Sequence, residues 1–309
     1  IGGAQGEKKG PYDDRSVALM MRRADLKKYS DENGLPFSQV LGWYVTGLVM
    51  YLAEETGFNN NLVIIEPYSL DPSQDTHILE DGIACYYVED ERIKKEDGFV
   101  PGCPFSDDFT GRLMLKLQSQ ATREDYPLVI KIGTGSRVEF QYDGMYFPLE
   151  IRIRNRSDFY PEMTSYAFFD PDIDQIDLRV YPKENQAADY IMEIMEKLEL
   201  INDMEVYLYL YRFAKETSLS ARDVCMVLEE GEKDKKPTWH SFEIFSSYSK
   251  NTYMKKKWKV LLRRHKLKEP TWEDTMSLMT KFIEPLWASI TKGELFFGDW
   301  MPELGRYLE

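Results

Sequence analysis

Glu89 and Glu91 stand two residues apart at the end of an apolar run, IACYYVE, that reads as a strand. On a strand this spacing puts both carboxylates on one face. That is the arrangement a pair of magnesium ions needs for phosphoryl or nucleotidyl transfer. Asp172 and Asp174 repeat the spacing in a loop after Pro171, and in a chain with 53 acidic residues such pairs also arise by chance. A second candidate is KIGTGSRV, where Gly133, Gly135 and Ser136 could cradle an anion. It lacks the later glycines and the lysine of a P-loop, and its place between two strand-like runs favours a tight turn. A third is the basic run Lys255, Lys256, Lys257, Lys259, Arg263, Arg264, His265, Lys266 and Lys268. On a helix, Lys255, Lys259, Arg263 and Lys266 share roughly one face, which suits phosphate contact with RNA, DNA or a nucleotide. The competing reading, which the acidic bulk charge favours, is a solvated face or one paired with acids such as Glu229, Glu230 and Glu232. No Ser-His-Asp, Cys-His or glycosidase pair stands out from the background.

The elements that must hold these residues belong to a folded protein. The chain has 309 residues, 43% hydrophobic and 30% charged, with glycine and proline scattered, which excludes collagenous and low-complexity classes. The net charge of −14 repels nucleic acid at long range and leaves only a local basic patch to bind it. Three dispersed histidines carry no zinc signature, and three cysteines, an odd and sparse set, suit a reducing, cytoplasmic compartment. We expect no signal peptide and no membrane contact, because no apolar run approaches 18 residues. Residues 1–15 are expected to be a flexible lead.

From Ser16 the apolar spacing predicts a helix that Gly34 stops. A second, with a broad apolar stripe from Leu41 to Leu52, ends at Gly57. The period then changes. LVIIE, IACYYVE, RLMLKLQ, LVIKIG, RVEFQY and MYFPLEIRIR read as strands between residues 60 and 155, with Pro148 marking an edge or an irregular start. A tyrosine- and aspartate-rich connection covers 158–178. Beyond it the chain reads as helical, with NDMEVYLYLYRFAKE ambiguous between strand and helix. Ser220 with Asp223 and Thr271 with Asp274 are capping pairs, and Gly293 is a stop. The expected organisation is a helix pair and sheet domain over 16–180, with a helical domain over 181–309 packed on the sheet.

Four segments, in order, carry a resemblance. ADLKKYSDENGLPFSQVLGWYVTGLVMYLAEETG, LVIKIGTGSRV, VYPKENQAADYIMEIMEKLEL and FIEPLWASITKGELFFGDWMPELGRY together span residues 24–307. Their order and spacing resemble the nucleotidyltransferase toxins of the type IV toxin–antitoxin kind, the AbiEii/AbiGii family. The resemblance implies an α+β fold: a polymerase-β-type mixed sheet with flanking helices and a helical C-terminal half. It implies an enzyme that uses NTP and Mg²⁺ to add nucleotides to an acceptor such as tRNA.

The positions that carry the family's chemistry depart from it. Ile65, Glu66 and Pro67 stand where the resemblance calls for a lysine and two glycines, and Pro67 lacks an N–H that could face a phosphate. Glu89 and Glu91 are the nearest substitute for a DxD pair. Lys131 replaces the third aspartate, Ser136 a later one, and Asp189 the lysine of an AEK segment. A positive charge thus stands where metal should bind, and a negative one where a phosphate should. Each lost contact costs several kcal/mol of transition-state stabilisation, at tenfold in rate per ~1.4 kcal/mol. The expectation is a catalytically degenerate protein of toxin–antitoxin or phage-defence type. It would act by binding a protein partner, or RNA through 255–268, with no cofactor. The alternative is an active, divergent Mg²⁺- and NTP-dependent transferase using Glu89, Glu91 and acids of 170–177.

Overall fold

The structure is a computed structural model that describes residues 21–55, 62–65, 83–87, 114–122, 128–132, 137–142, 144–155, 159–166, 175–202, 204–234 and 241–308. The expected lead at 1–15 lies outside them. The chain divides into two compact units between Tyr181 and Pro182. The fold is mixed α+β, with a seven-stranded mixed sheet in the first unit and a helical C-terminal half.

In the first unit, helix α1 (Arg23–Asn33) stops at Gly34, whose φ of 66° lets its N–H return to the Ser30 carbonyl. Helix α2 (Phe37–Glu55) is apolar nearly all round. Trp43, Tyr44, Val45, Leu48, Val49 and Leu52 are all buried, as expected of a helix inside a core. Strand β1 (Leu62–Ile65) runs antiparallel to β2 (Ile83–Tyr87). The described part of the segment RLMLKLQ, residues 114–118, expected as a strand, instead lies in a helix, α3 (114–122). Its alternation was a coincidence of two periods. Met114, Leu117 and Ala121, at helical spacing, are buried, while Leu115 is 64% exposed.

Strands β3 (Leu128–Ile132), β4 (Arg137–Tyr142) and β5 (Met145–Asn155) form an antiparallel meander. Pro148 sits inside β5, facing Glu139 of β4. The connection expected over 158–178 contains two further strands, β6 (Glu162–Tyr166) and β7 (Ile176–Val180), paired antiparallel. The sheet order is β3-β4-β5-β2-β1-β7-β6, with β5 parallel to β2 and β7 parallel to β1. The interior strand β1 is covered on both faces. Leu62 and Ile64 join the core of α2, Cys85, Leu178 and Val180, while Val63 faces Tyr86, Phe159 and Tyr181. Tyr44 and Tyr142 pack edge-on at 5.3 Å, and both hydroxyls bond the backbone of Met21.

The second unit begins with α4 (Lys183–Lys197), whose inner face is Ala187, Ala188, Ile191 and Ile194. A 3₁₀ turn (Leu198–Leu200) leads to α5 (Glu205–Glu216), which settles the ambiguous segment as helix by burying Tyr207, Leu208, Leu210 and Phe213. A two-residue strand β8 (Leu219–Ser220) precedes α6 (Ala221–Asp234), where the Asp223 N–H donates to Ser220 Oγ. Then come α7 (Phe242–Ser247), a 3₁₀ turn (Tyr248–Lys250), α8 (Thr252–Arg264) and α9 (Trp272–Lys292). Thr271 caps α9 by accepting from the Asp274 N–H at 3.1 Å, and Gly293, at φ 66°, ends it. Strands β9 (Asp299–Met301) and β10 (Arg306–Leu308) complete a small sheet in the order β10-β9-β8. Three buried indoles hold the unit by donating to carbonyls: Trp258 to Pro270, Trp272 to Tyr248 and Trp300 to Ala214, at 2.7–2.9 Å.

Candidate nucleic-acid interface

Of the nucleotide-site positions expected from sequence, the described residues include Ile65, Lys131 and Asp189. Ile65 ends β1 opposite Ala84, half-buried against Val63, Tyr86, Phe159 and Tyr181. The rings of that cluster lie 4.7–5.6 Å apart. Both β1 and β2 carry only aliphatic, aromatic and cysteine side chains over their described residues, so they offer a divalent ion no carboxylate. Glu66, Pro67, Glu89, Glu91 and Ser136 lie outside the described residues. Lys131 lies on the edge strand β3, in backbone register with Glu139 of β4.

Strands β4, β5 and β2 stand between β3 and β1. At ~4.8 Å per strand that is a separation of roughly 19 Å along the sheet. Lys131 and the end of β1 are thus four strand spacings apart in the sheet order. The cause is the parallel pairing of β5 with β2, which moves the β3–β4 hairpin outward. Asp189 lies half-buried on α4. Tyr181 and Glu184 of the same segment have structural tasks. The Tyr181 N–H donates to the Ile64 carbonyl, and the buried Glu184 carboxylate accepts from the Ser220 N–H at 3.3 Å. Among the described residues no group of three or more His, Cys, Asp or Glu could hold a metal ion.

The basic helix is the site the described residues do build. The Asn251 side chain caps α8 by accepting from the N–H groups of Tyr253 (2.9 Å) and Met254 (3.2 Å). Met254, Trp258, Leu261 and Leu262, at helical spacing, are buried and fix which way the helix faces. The bases then fall into two sets.

The first set is occupied. Lys255 pairs with Glu273 of α9, and its hydrogen bond holds that carboxyl below its ordinary value. Lys257 reaches the carbonyls of Ile201 and Glu199, the latter at 3.1 Å, and closes the connection between α4 and α5. Arg264 and His265 both meet Glu205 Oε1, at 2.7 and 2.9 Å.

The second set faces water. Lys256, Lys259 and Arg263 are exposed, with Val260 64% exposed among them. Positions 256/259, 256/260, 259/263 and 260/263 are each three or four apart, so the four residues form one stripe on the outside of α8. Lys266 follows just past the helix end, exposed, at φ 56°. No ion pair among the described residues engages these four bases. The acids used by the run are Glu205 and Glu273, not Glu229 or Glu230.

Of the four bases expected to share a face, Lys259, Arg263 and Lys266 are solvent-facing and Lys255 is taken by Glu273. Lys256 belongs in its place. The signal was present in the sequence: Trp258 and Leu262 mark the buried side, and Lys256 lies across the helix from them. No protein-family model matches the chain, and no curated protein sequence matches it.

Proposed function

We propose that this protein acts by binding RNA, on a nucleotidyltransferase-like framework that no longer transfers nucleotides, in a toxin–antitoxin or phage-defence setting. One observation carries the binding reading. Four bases on or beside the outer face of α8 are exposed and make no ion pair among the described residues, in a chain whose net charge is −14. An acidic protein gains solubility from its carboxylates; a stripe of exposed cations on it raises the local concentration of an anion. The reading of lost transfer is supported by the apolar company of Ile65, at a position where the resemblance calls for a phosphate-binding turn.

Four phosphate contacts set the expected size of the effect. Affinity for RNA should fall roughly 50- to 150-fold between 50 and 200 mM salt, from a slope of about 0.7–0.9 per phosphate. The test is fluorescence anisotropy with labelled RNA, comparing the natural chain with Lys256→Glu/Lys259→Glu/Arg263→Glu. Charge reversal should abolish binding and flatten the salt dependence. An unchanged affinity and slope would refute the reading. A parallel incubation with Mg²⁺, labelled NTPs and RNA tests the catalytic half. Incorporation that Glu89→Ala abolishes would show an active transferase and overturn the claim of lost transfer.

A further inference from the structure

We infer that α8 carries a stacking platform for an unpaired base, formed by Tyr253, and hence that the ligand is single-stranded RNA. This rests on the RNA reading above and narrows it. Tyr253 is 58% exposed, one helical turn before Lys256 and on the edge of the basic stripe. Exposed tyrosines are common and by themselves mean little. This one is held at both ends. Its backbone N–H is bonded by the Asn251 cap at 2.9 Å. The Lys257 ammonium lies over its ring, 5.1 Å from the centroid, and that ammonium is itself anchored on the Glu199 and Ile201 carbonyls.

One face of the ring thus carries an anchored cation, and more than half of the residue remains exposed to solvent. A ring fixed before the ligand arrives loses little freedom on binding. An aromatic face beside a row of cations is the combination by which single strands are held, with bases on rings and phosphates on bases. A duplex keeps its base faces inside its own stack, so it can use the cations but not the ring.

The experiment uses the full chain with three probes: a short labelled oligouridylate, an RNA duplex of the same length, and inorganic polyphosphate as a ligand with charge but no base. The oligouridylate should bind more tightly than the duplex. Tyr253→Ala should weaken oligouridylate binding by roughly 5- to 150-fold, the range of one base–aromatic stack, and leave polyphosphate unchanged. Tyr253→Phe should bind like the natural chain, since the ring and not the hydroxyl carries the contact. Tyr160→Ala, at a tyrosine 93% exposed in the other unit, should have no effect. A duplex preference overturns the inference. So does a Tyr253→Ala chain that binds oligouridylate normally while charge reversal still abolishes it, and in that case RNA binding itself stands. A natural chain that binds neither RNA refutes both readings together.

Discussion

Replacing the bases of α8 one at a time should separate them into two groups that the sequence does not distinguish. Lys257→Ala removes an ammonium that holds two carbonyls, at Glu199 and Ile201, across the joint between α4 and α5. Hydrogen bonds to a charged group contribute roughly 1.5–3 kcal/mol each when well buried. Here the bond to Glu199 is exposed and the bond to Ile201 only part-buried, so water replaces much of what is lost. The net cost should be about 1–2 kcal/mol. Arg263→Ala removes an exposed side chain with no ion pair among the described residues, and should stay within ~0.5 kcal/mol of the natural chain. Urea denaturation of the full chain gives both numbers, and amide exchange over 198–204 shows where the first acts. Arg263→Ala should nevertheless lose RNA binding in proportion to one phosphate contact. The partition is wrong if Lys257→Ala unfolds at the natural urea midpoint, or if Arg263→Ala loses more than about 1 kcal/mol.

Tyr207 is buried among helices with a hydroxyl that has no hydrogen-bond partner among the described residues, and burial holds its phenol far above the ordinary value. Tyr207→Phe should therefore stabilise the second unit by about 1 kcal/mol, seen as a rise of a few degrees in its melting transition; a fall would reveal a partner for the hydroxyl. Burial pushes the Cys85 thiol up to about 12 and the Cys225 thiol up to about 11. Neither should react with an aromatic disulfide reagent at pH 8 in the folded chain, and both should react in urea; rapid labelling of folded protein at either position would contradict their burial. Glu273 is held below its ordinary value by Lys255, so its contribution to stability is complete above that ordinary value and fades as pH falls through the lower folded one. Glu273→Gln should flatten the acid side of the melting temperature–pH curve in that window, and an unaltered acid limb would remove the pair from the account.

Several helix boundaries were written locally. Thr271 with Asp274, Ser220 with Asp223, and Gly34 and Gly293 at positive φ each mark a boundary through contacts a few residues long, and the structure uses each where the sequence placed it. The buried stripe of α8 was legible too, since Trp258 and Leu262 declare a side through helical spacing alone. What failed was reading that depends on distant partners. RLMLKLQ carries an alternating pattern and a helical one at once, and only the core met by Met114, Leu117 and Ala121 chooses between them. Of the two strands that begin within 158–178, β6 (EMTSY) is poor in apolar residues and owes its place to pairing with β7, while β7 (IDLRV) alternates apolar and polar residues over only five positions and joins the sheet beside β1.

Sheet order is likewise invisible in a single chain, because β5 could pair with any strand whose edge was free. Its choice of β2 is what carries Lys131 away from Ile65. The same holds for the basic run. Composition and spacing alone determine that a cationic helix exists in this acidic protein. Which cations remain open to a ligand is decided by Glu199, Ile201, Glu205 and Glu273, residues that the chain brings to α8 from other elements, since a charge is available only where tertiary contacts have left it unmatched.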